Sequence, residues 1–427
     1  MKTRRASAEI SYNGQNITVP MGQYLMELTY ADSSSGEGDT IDLKVQDSAG
    51  DWLKALPTKG AEIIAKLAVS DWDKEGDDRV LDCGAFVLDD FSFGGPPIEG
   101  TISAISIPAL SAFKETSRSK TWEKATLYEI AKDIAARASV GLIFDNAPKW
   151  TIASIEQSSQ TDCEFLNSLC EKYGFALKVY NSKLVIYDRG VYEKKEPVGT
   201  IDKADMTSWS WKTTLAGTYT GGTITYTDPK TEADVTYTVG SGDRMLACSE
   251  KADNAADAQR ILEAAIAKEN FSATTLEIEI TGDPKYCAGQ NWTITGLGQI
   301  DGKYFVDKCT HEIGSGYKTT LELVRVELTE AESVKAAVQC LADIGVINSP
   351  DYWIAHYSDV KYLGTLLQKL SAVIRHNAGG KSITTVTAAI AALAAAKIIS
   401  GPEYWTEHHA DIAYIDDLFI KAANALG

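Results

Sequence analysis

The chain has 427 residues, 44% of them hydrophobic and 23% charged, and 59 acidic against 41 basic side chains give a formal net charge of −18. That balance argues against sequence-specific nucleic-acid binding, because gripping phosphates needs clustered Lys and Arg. No apolar run reaches the roughly 18–20 residues that span a membrane, and the length suits roughly three domains, each with its own core.

The first residues, MKTRRASAEISYNG, are basic without an apolar core and are read as no signal peptide. Residues 8–110 are strand-like. Short β-rich runs fall at Tyr24 to Tyr30, Thr40 to Val45, Glu62 to Val69 and Val80 to Leu88, with Ile102, Ile105 and Ile107 closing the set. Gly- and Asp-rich breaks separate them (Ser33 to Asp39, Gly94-Gly95-Pro96-Pro97). This spacing predicts a barrel or sandwich. Residues 114–121, KETSRSKT, are polar and read as a lead into the next unit.

Thr121 to Asp188 reads as a small αβ insert. Thr126 with Glu129, and Thr161 with Glu164, have the spacing of a capping box, in which each side chain satisfies the other residue's free backbone N–H. Leu127, Ile130, Ala131, Ile134, Ala135 and Ala138 form one apolar helix face, and Phe165, Leu166, Leu169, Cys170 and Tyr173 a second. Lys124, Glu129, Lys132 and Arg137 are expected on exposed helix faces. Gly141 is expected to end the first helix and Gly174 the second. Leu142-Ile143-Phe144 is a short strand, and Phe175–Val179 and Leu184–Tyr187 form a hairpin about Asn181-Ser182.

From Val191 the β-character resumes. Trp209 and Trp211 alternate. Tyr219 to Thr227 and Ala233 to Val239 form a hairpin around Asp228-Pro229-Lys230. A helix is expected over Asp253 to Asn270. Strands follow at Thr274 to Ile280, Asn291 to Ile294, Lys303 to His311 and Lys318 to Val326, with Asp301-Gly302 as a hairpin turn.

After Val326 the composition turns helical and repeats. Pro350-Asp351-Tyr352-Trp353 returns as Pro402-Glu403-Tyr404-Trp405. In the same register Leu341 aligns with Leu393, Ile347 with Ile399, His356 with His408, Asp359 with Asp411, Tyr362 with Tyr414, Leu366 with Leu418 and Lys369 with Lys421. Each unit reads as helix, turn, helix. Ser349 or Gly401 is the expected N-cap, with Pro and then an acid following. Residues 375–385 link the units.

Candidate chemistry is sparse. Asp71, Asp73, Glu75, Gly76 and Asp82 approach a calcium-loop pattern, but the flanks read as strands, so an acidic hairpin loop is expected. His408-His409 with Glu403, Glu407 and Asp411 resembles a metal cluster, yet His409 aligns with Tyr357 in the other copy, so no metal is expected. Trp353 and Trp405 read as the core of small helical units; Tyr352, Trp353, Tyr404 and Trp405 together are the candidate residues for binding a partner or cell wall. His311 has no paired nucleophile and reads as structural. The cysteines (Cys83, Cys163, Cys170, Cys248, Cys287, Cys309, Cys340) show no C-x-x-C and read as small core residues in a reducing compartment. Neither a nucleophile elbow nor a phosphate loop is present in the sequence; the chain is expected to be no enzyme and to use no cofactor.

Several words in order resemble the late control protein D family of tail hub proteins of phages and related contractile particles, which is similar to the hub half of type VI secretion spikes. They are Gly84-Ala85-Phe86-Val87-Leu88-Asp89 with Gly95-Pro96-Pro97; Lys120-Thr121-Trp122 running into Thr126-Leu127; Ile155-Glu156-Gln157 with Asp162-Cys163-Glu164-Phe165-Leu166; Thr227-Asp228-Pro229-Lys230-Thr231; Gly282-Asp283-Pro284; and Asp301-Gly302-Lys303-Tyr304-Phe305-Val306 leading to His311. The resemblance covers residues 1 to about 326. It implies a mainly β fold with an α+β insert: a tube-like β-barrel over residues 1–118, an αβ insert over 119–190 and a second tube-like barrel with one helix over 191–326. A C-terminal all-α tandem repeat over 327–427 (327–375 and 386–427) lies beyond it. The implied function is a baseplate hub, a homotrimeric ring adapting a six-fold tail tube to a three-fold spike. Its implied partners are the tail tube protein, the central spike, other baseplate proteins and the tape-measure protein, in a virion tail or tail-like particle assembled in the bacterial cytoplasm. The alternative is a cell-wall-binding or lytic tail protein, directed at peptidoglycan through residues 327–427.

Overall fold

The computed structural model describes residues 3–36, 38–54, 56–106, 112–228, 231–327, 338, 342, 349–356, 370, 386–395, 398–399 and 402–408. It divides into two compact units, Met1–Val326 and Glu327–Gly427. The larger is mainly β, with antiparallel sheets and a few helices.

Its strands in chain order are β1 (Arg5–Tyr12), β2 (Gln15–Asn16), β3 (Leu25–Ser33), β4 (Thr40–Gln46), β5 (Glu62–Ser70), β6 (Arg79–Gly94), β7 (Glu99–Ile105), β8 (Ser117–Thr126), β9 (Gly141–Phe144), β10 (Thr151–Thr161), β11 (Phe175–Tyr180), β12 (Lys183–Asp188), β13 (Thr200–Asp202), β14 (Met206–Thr213), β15 (Gly221–Thr227), β16 (Asp234–Gly240), β17 (Met245–Cys248), β18 (Thr274–Thr281), β19 (Asn291–Thr295), β20 (Gly302–Ile313) and β21 (Tyr317–Arg325). Alternation of apolar and polar residues makes them strands. In β5, for example, Ile63, Ala65, Leu67 and Val69 are buried while Glu62 and Ser70 face water.

Thirteen strands form one sheet, and it contains the same six-strand arrangement twice. The first half runs β3-β4-β7-β6-β5-β1, and the second β14-β18-β21-β20-β19-β13. Register irregularities recur at matching places: Leu25/Glu27 against Met206/Ser208, and Leu88/Asp90 against Val306/Lys308. The match extends to residues, since Gly84, Phe86, Val87, Leu88 and Asp89 stand where Gly302, Tyr304, Phe305, Val306 and Asp307 stand. One pairing differs: β1 is antiparallel to β5, whereas β13 is parallel to β19. The halves join edge to edge where β20 pairs with β3, from Lys308↔Ser33 to Ile313↔Leu28. Each half has its own core, the first around Leu28, Tyr30, Leu67 and Phe86, the second around Ile278, Trp292, Tyr304 and Leu321.

The insert builds on β11-β12-β9, with β9 parallel to β12. Both capping boxes form: Thr126 and Glu129 start the Leu127–Ala138 helix, and Thr161 and Glu164 the Asp162–Lys172 helix. Asn181 and Ser182 both take positive φ, the geometry of a tight two-residue hairpin.

Five local expectations change. The polar lead at 114–121 is largely strand: β8 pairs antiparallel with β10 in a ribbon that only Trp122, Ile152 and a few neighbours tie to the core. Its Ser, Thr and Lys content hides it from a hydrophobic pattern. Ser139, not Gly141, takes the left-handed position ending the first helix; Gly141 opens β9, where a Cβ would lie 2.8 Å from Lys183 Cγ. Asp301-Gly302 is not a two-residue turn. A short 3-10 turn, Gly298–Ile300, intervenes, and Asp301 closes the loop by accepting from the Gly296 and Leu297 N–H groups (3.3 and 2.6 Å). Residues 221–270 leave the large sheet. There β16-β15-β17 and the Ala255–Asn270 helix pack on the insert, and Ile224, Ala258, Ile261 and Leu262 share its core with Leu166 and Ile186. Finally, Lys124 lies on β8, and Arg137 turns inward to pair with buried Asp162 (2.7 Å).

In the smaller unit the repeated words are helical: Pro350–His356 and Pro402–His408, with Val386–Ala395 between them. The Tyr352 N–H donates to the Ser349 carbonyl (3.2 Å). Leu341, Ile347, Asp359, Tyr362, Leu366, Lys369, Gly401, His409, Asp411, Tyr414, Leu418, Lys421 and the 375–385 link lie outside the described residues, as do Ile107 and Pro229-Lys230.

Candidate functional site

The densest chemistry lies where the two sheet halves meet the insert. Three charged side chains from two parts of the chain converge there. Lys178 on β11 pairs with Asp32 at the end of β3 and with Asp39 before β4, at 3.3 Å for the latter. Both carboxylates are buried, so the ammonium between them offsets a desolvation cost that neither could bear alone. Asp32 also accepts from the Ala288 N–H (2.8 Å), which belongs to the second half. Asp39 accepts from the Ser33 N–H (3.1 Å).

Burial pushes the Asp39 carboxyl up to about 7, against the pull of Lys178. Burial works to lower the Lys178 ammonium, but Asp32 and Asp39 together hold it above its ordinary value. Lys178 is therefore held as a cation and is no general base. Burial also pushes the Cys83 and Cys309 thiols up, and Cys287 to about 12, so these neighbours stay protonated and are poor nucleophiles.

Around this ion cluster the contacts are fasteners. Tyr187 OH donates to the Ser34 carbonyl (2.7 Å), Ser106 Oγ to the Val179 carbonyl (2.8 Å), and the Gly36 N–H to the Leu177 carbonyl (3.0 Å). Ser34 Oγ donates to Asp307 Oδ1 (2.5 Å), tying the halves together. Gly84, at φ +87°, lets the β11–β12 turn approach β6; a Cβ there would lie 3.2 Å from Asn181 Cβ. A cavity of about 300 Å³ remains, bordered by Tyr30, Lys178, Tyr180, Tyr192 and Gln290 among others.

His311 is buried in the β20–β3 seam. Its ring stacks on Tyr30 (centroids 6.1 Å apart, 10° between planes). One ring nitrogen lies 2.8 Å from Tyr317 OH and the other 3.0 Å from the Tyr286 carbonyl. Burial lowers its pKa. It acts as a neutral, hydrogen-bonded spacer, as its isolation in the sequence suggested.

The acidic loop after β5 is flanked by strands. Arg79 pairs with Asp73, Asp77 and Asp283, so the loop's carboxylates serve a bridge from the first half to the second. Asp71 accepts from the Gly76 N–H (2.8 Å).

The four candidate aromatics sit on the matching short helices. Trp353 and Trp405 are buried, Tyr352 is half-buried and Tyr404 is exposed. Each Tyr lies edge-on to its Trp, at 5.8 and 6.2 Å. The charged junction was missed in the sequence because Lys178 is far along the chain from Asp32 and Asp39. A lone Lys among the apolar residues of β11 was the one local signal.

Comparison with known proteins gives a consistent family. A model of the phage tail baseplate hub (GPD) family matches residues 101–317. A probable baseplate hub protein of Escherichia phage 186 is 27% identical over 229 residues, covering 52% of this chain and 57% of that protein. A probable baseplate hub protein of Escherichia phage P2 is 28% identical over 230 residues, covering 51% and 56%. The chain thus spans little more than half the length of the curated relatives it matches. Two crystal structures share the fold. The prophage MuSo2 43 kDa tail protein from Shewanella oneidensis has a TM-score of 0.58 and 14% identity, over 75% of this chain and 98% of that one. The tail protein from Neisseria meningitidis MC58 has a TM-score of 0.58 and 12% identity, over 75% and 96%.

Proposed function

The chain belongs to the phage tail baseplate hub (GPD) family, and we propose that three copies form a ring joining a six-fold tail tube to a three-fold spike. The observation that carries this is the duplicated six-strand arrangement. A chain that holds one structural unit twice presents six similar units when three copies close around an axis, so a single ring can face six-fold symmetry on one side and three-fold on the other. Each half is read as a tube-like barrel, residues 1–118 and 191–326. The insert, with the 221–270 excursion docked on it, is the outer part that spaces the halves and meets other baseplate proteins. The role is structural: the junction holds its lysine and cysteines protonated, which suits fastening rather than catalysis. The tape-measure protein is a further proposed contact.

Light scattering of the purified full chain tests the ring. A trimer is expected, and a species of two, four or six copies contradicts it.

A second reading, contact with peptidoglycan through an all-α tandem repeat at 327–427, is favoured by the exposed Tyr404 ring beside buried Trp405. On this reading Tyr404→Ala abolishes retention of the full chain on purified peptidoglycan. A wild-type chain that is never retained removes the wall and leaves Tyr352, Trp353, Tyr404 and Trp405 as a protein-docking element.

A further inference from the structure

The junction that fastens the insert to the first half also holds the parts of a condensation. Lys178 Nζ contacts Asp32 Oδ1 and lies 3.3 Å from Asp39 Oδ1. The Lys178 side chain is 15% exposed, that of Asp32 is 7% exposed, and Asp39 is fully buried. On its other oxygen, Asp32 accepts from the Ala288 N–H (2.8 Å). Asp39 is fixed in turn by the Ser33 N–H (3.1 Å) and by Tyr30 OH (3.4 Å). The backbones are pinned on either side of Lys178, because the Gly36 N–H donates to the Leu177 carbonyl and Gly38 bridges to Val179. One dry site therefore brings together an amine, a carboxyl carbon, a backbone donor for a developing oxyanion, and a second carboxyl within reach of the amine's protons.

We propose that Lys178 and Asp32 condense into an isopeptide bond, with Asp39 as the proton carrier. The Nζ–Cγ bond forms and one Cγ–O bond of Asp32 breaks. Of the ammonium's three protons, one stays on the amide and two leave with the carboxylate oxygen as water, so no oxidant, reductant or co-reactant is needed. An ammonium is no nucleophile, and one proton must first pass to Asp39. Burial works against the Lys178 ammonium, although the two carboxylates keep it charged at rest. Burial also holds the Asp39 carboxyl up at about 7, which lets it take that proton and return it to the departing oxygen near neutral pH.

In water such a condensation is unfavourable, because it consumes two well-hydrated ions. Here burial has already stripped both, and a neutral amide replaces an ion pair that was costly to bury. Fixed contact supplies the orientation that separate molecules lack. The cavity of about 300 Å³ borders both Asp32 and Lys178 and offers the released water a way out. Other pairs at buried carboxylates lack one of these parts. Arg137 on Asp162 and Arg79 on Asp283 present guanidinium groups, which stay charged. Lys285, also on Asp283, is 45% exposed. The bond joins β3 to β11 across 146 positions of the chain, so the insert and the first half are fastened covalently as well as by hydrogen bonds.

Intact-mass spectrometry of the full chain, denatured and reduced, tests the bond. The wild type is expected to be one water lighter than its sequence, and protease digestion should release a branched peptide joining the Asp32 and Lys178 segments. Lys178→Arg keeps a cation between the carboxylates but offers no amine, and should show the full mass of its sequence. Asp39→Asn should leave most chains unlinked. A wild type of full mass overturns the proposal. So does a water lost within one linear peptide, or the same loss in Lys178→Arg. An Asp39→Asn chain linked as completely as the wild type overturns the role given to Asp39.

Discussion

Asp39 and His311 are buried close to the same seam and respond to pH with opposite signs. Burial raises the Asp39 pKa to about 7, above its ordinary 3.8. Between those values the folded chain holds a proton that the unfolded chain releases, so this contribution to stability is full in acid and is lost as pH rises through 7. His311 is lowered below its ordinary 6.5; its contribution is present above that value and is lost as pH falls. Asp39→Asn removes only the first effect. The stability of wild type relative to Asp39→Asn, from urea melts, should therefore grow as pH falls from 8 to 5, by about 1.4 kcal/mol for each pH unit below the folded-state value of about 7. A difference independent of pH contradicts the assignment. At this scale the sequence showed what depends on neighbours a few residues away. The Thr126 and Thr161 capping boxes form as read, because both partners lie within one helical turn. It did not show Arg137 turning in to Asp162, or Lys178 between Asp32 and Asp39, because those partners meet only through the fold.

Among elements, most long strands of both halves were legible from alternation, but β1 was not read as a separate run and β6 continues past Leu88 to Gly94. What alternation could not give was which strand neighbours which. The seam joins β3 to β20 although Leu28 and its partner Ile313 lie near opposite ends of the larger unit's sequence. The β8–β10 ribbon escaped notice because both its faces are largely polar. The excursion carrying β15, β16, β17 and the Ala255–Asn270 helix was read as part of the second β-region. Its helix has an apolar face, but a helix face does not say which sheet it will cover. The docked insert explains why that face is needed: Ala258, Ile261 and Leu262 fill the far side of the insert's core.

For the whole larger unit, the duplication gives the geometry a purpose. Two copies of one strand arrangement have matching bulges and one seam closed inside the chain, while the equivalent edges have no paired strand among the described residues. Two of the words that carry the family resemblance, Gly84–Asp89 and Asp301–Val306, prove to lie on the same β-segment in each half, Gly84–Asp89 matching Gly302–Asp307. In the sequence they share only Gly and Asp at fixed places with three large apolar or aromatic residues before the Asp, too little to align unaided. The central claim, that three copies close into a ring between tube and spike, is tested most directly by electron cryomicroscopy of the assembled particle. The account predicts one ring of six similar β-lobes built from three chains, with tube density on one face and spike density on the other. A ring of six chains, or this chain lying away from the tube–spike axis, would contradict it.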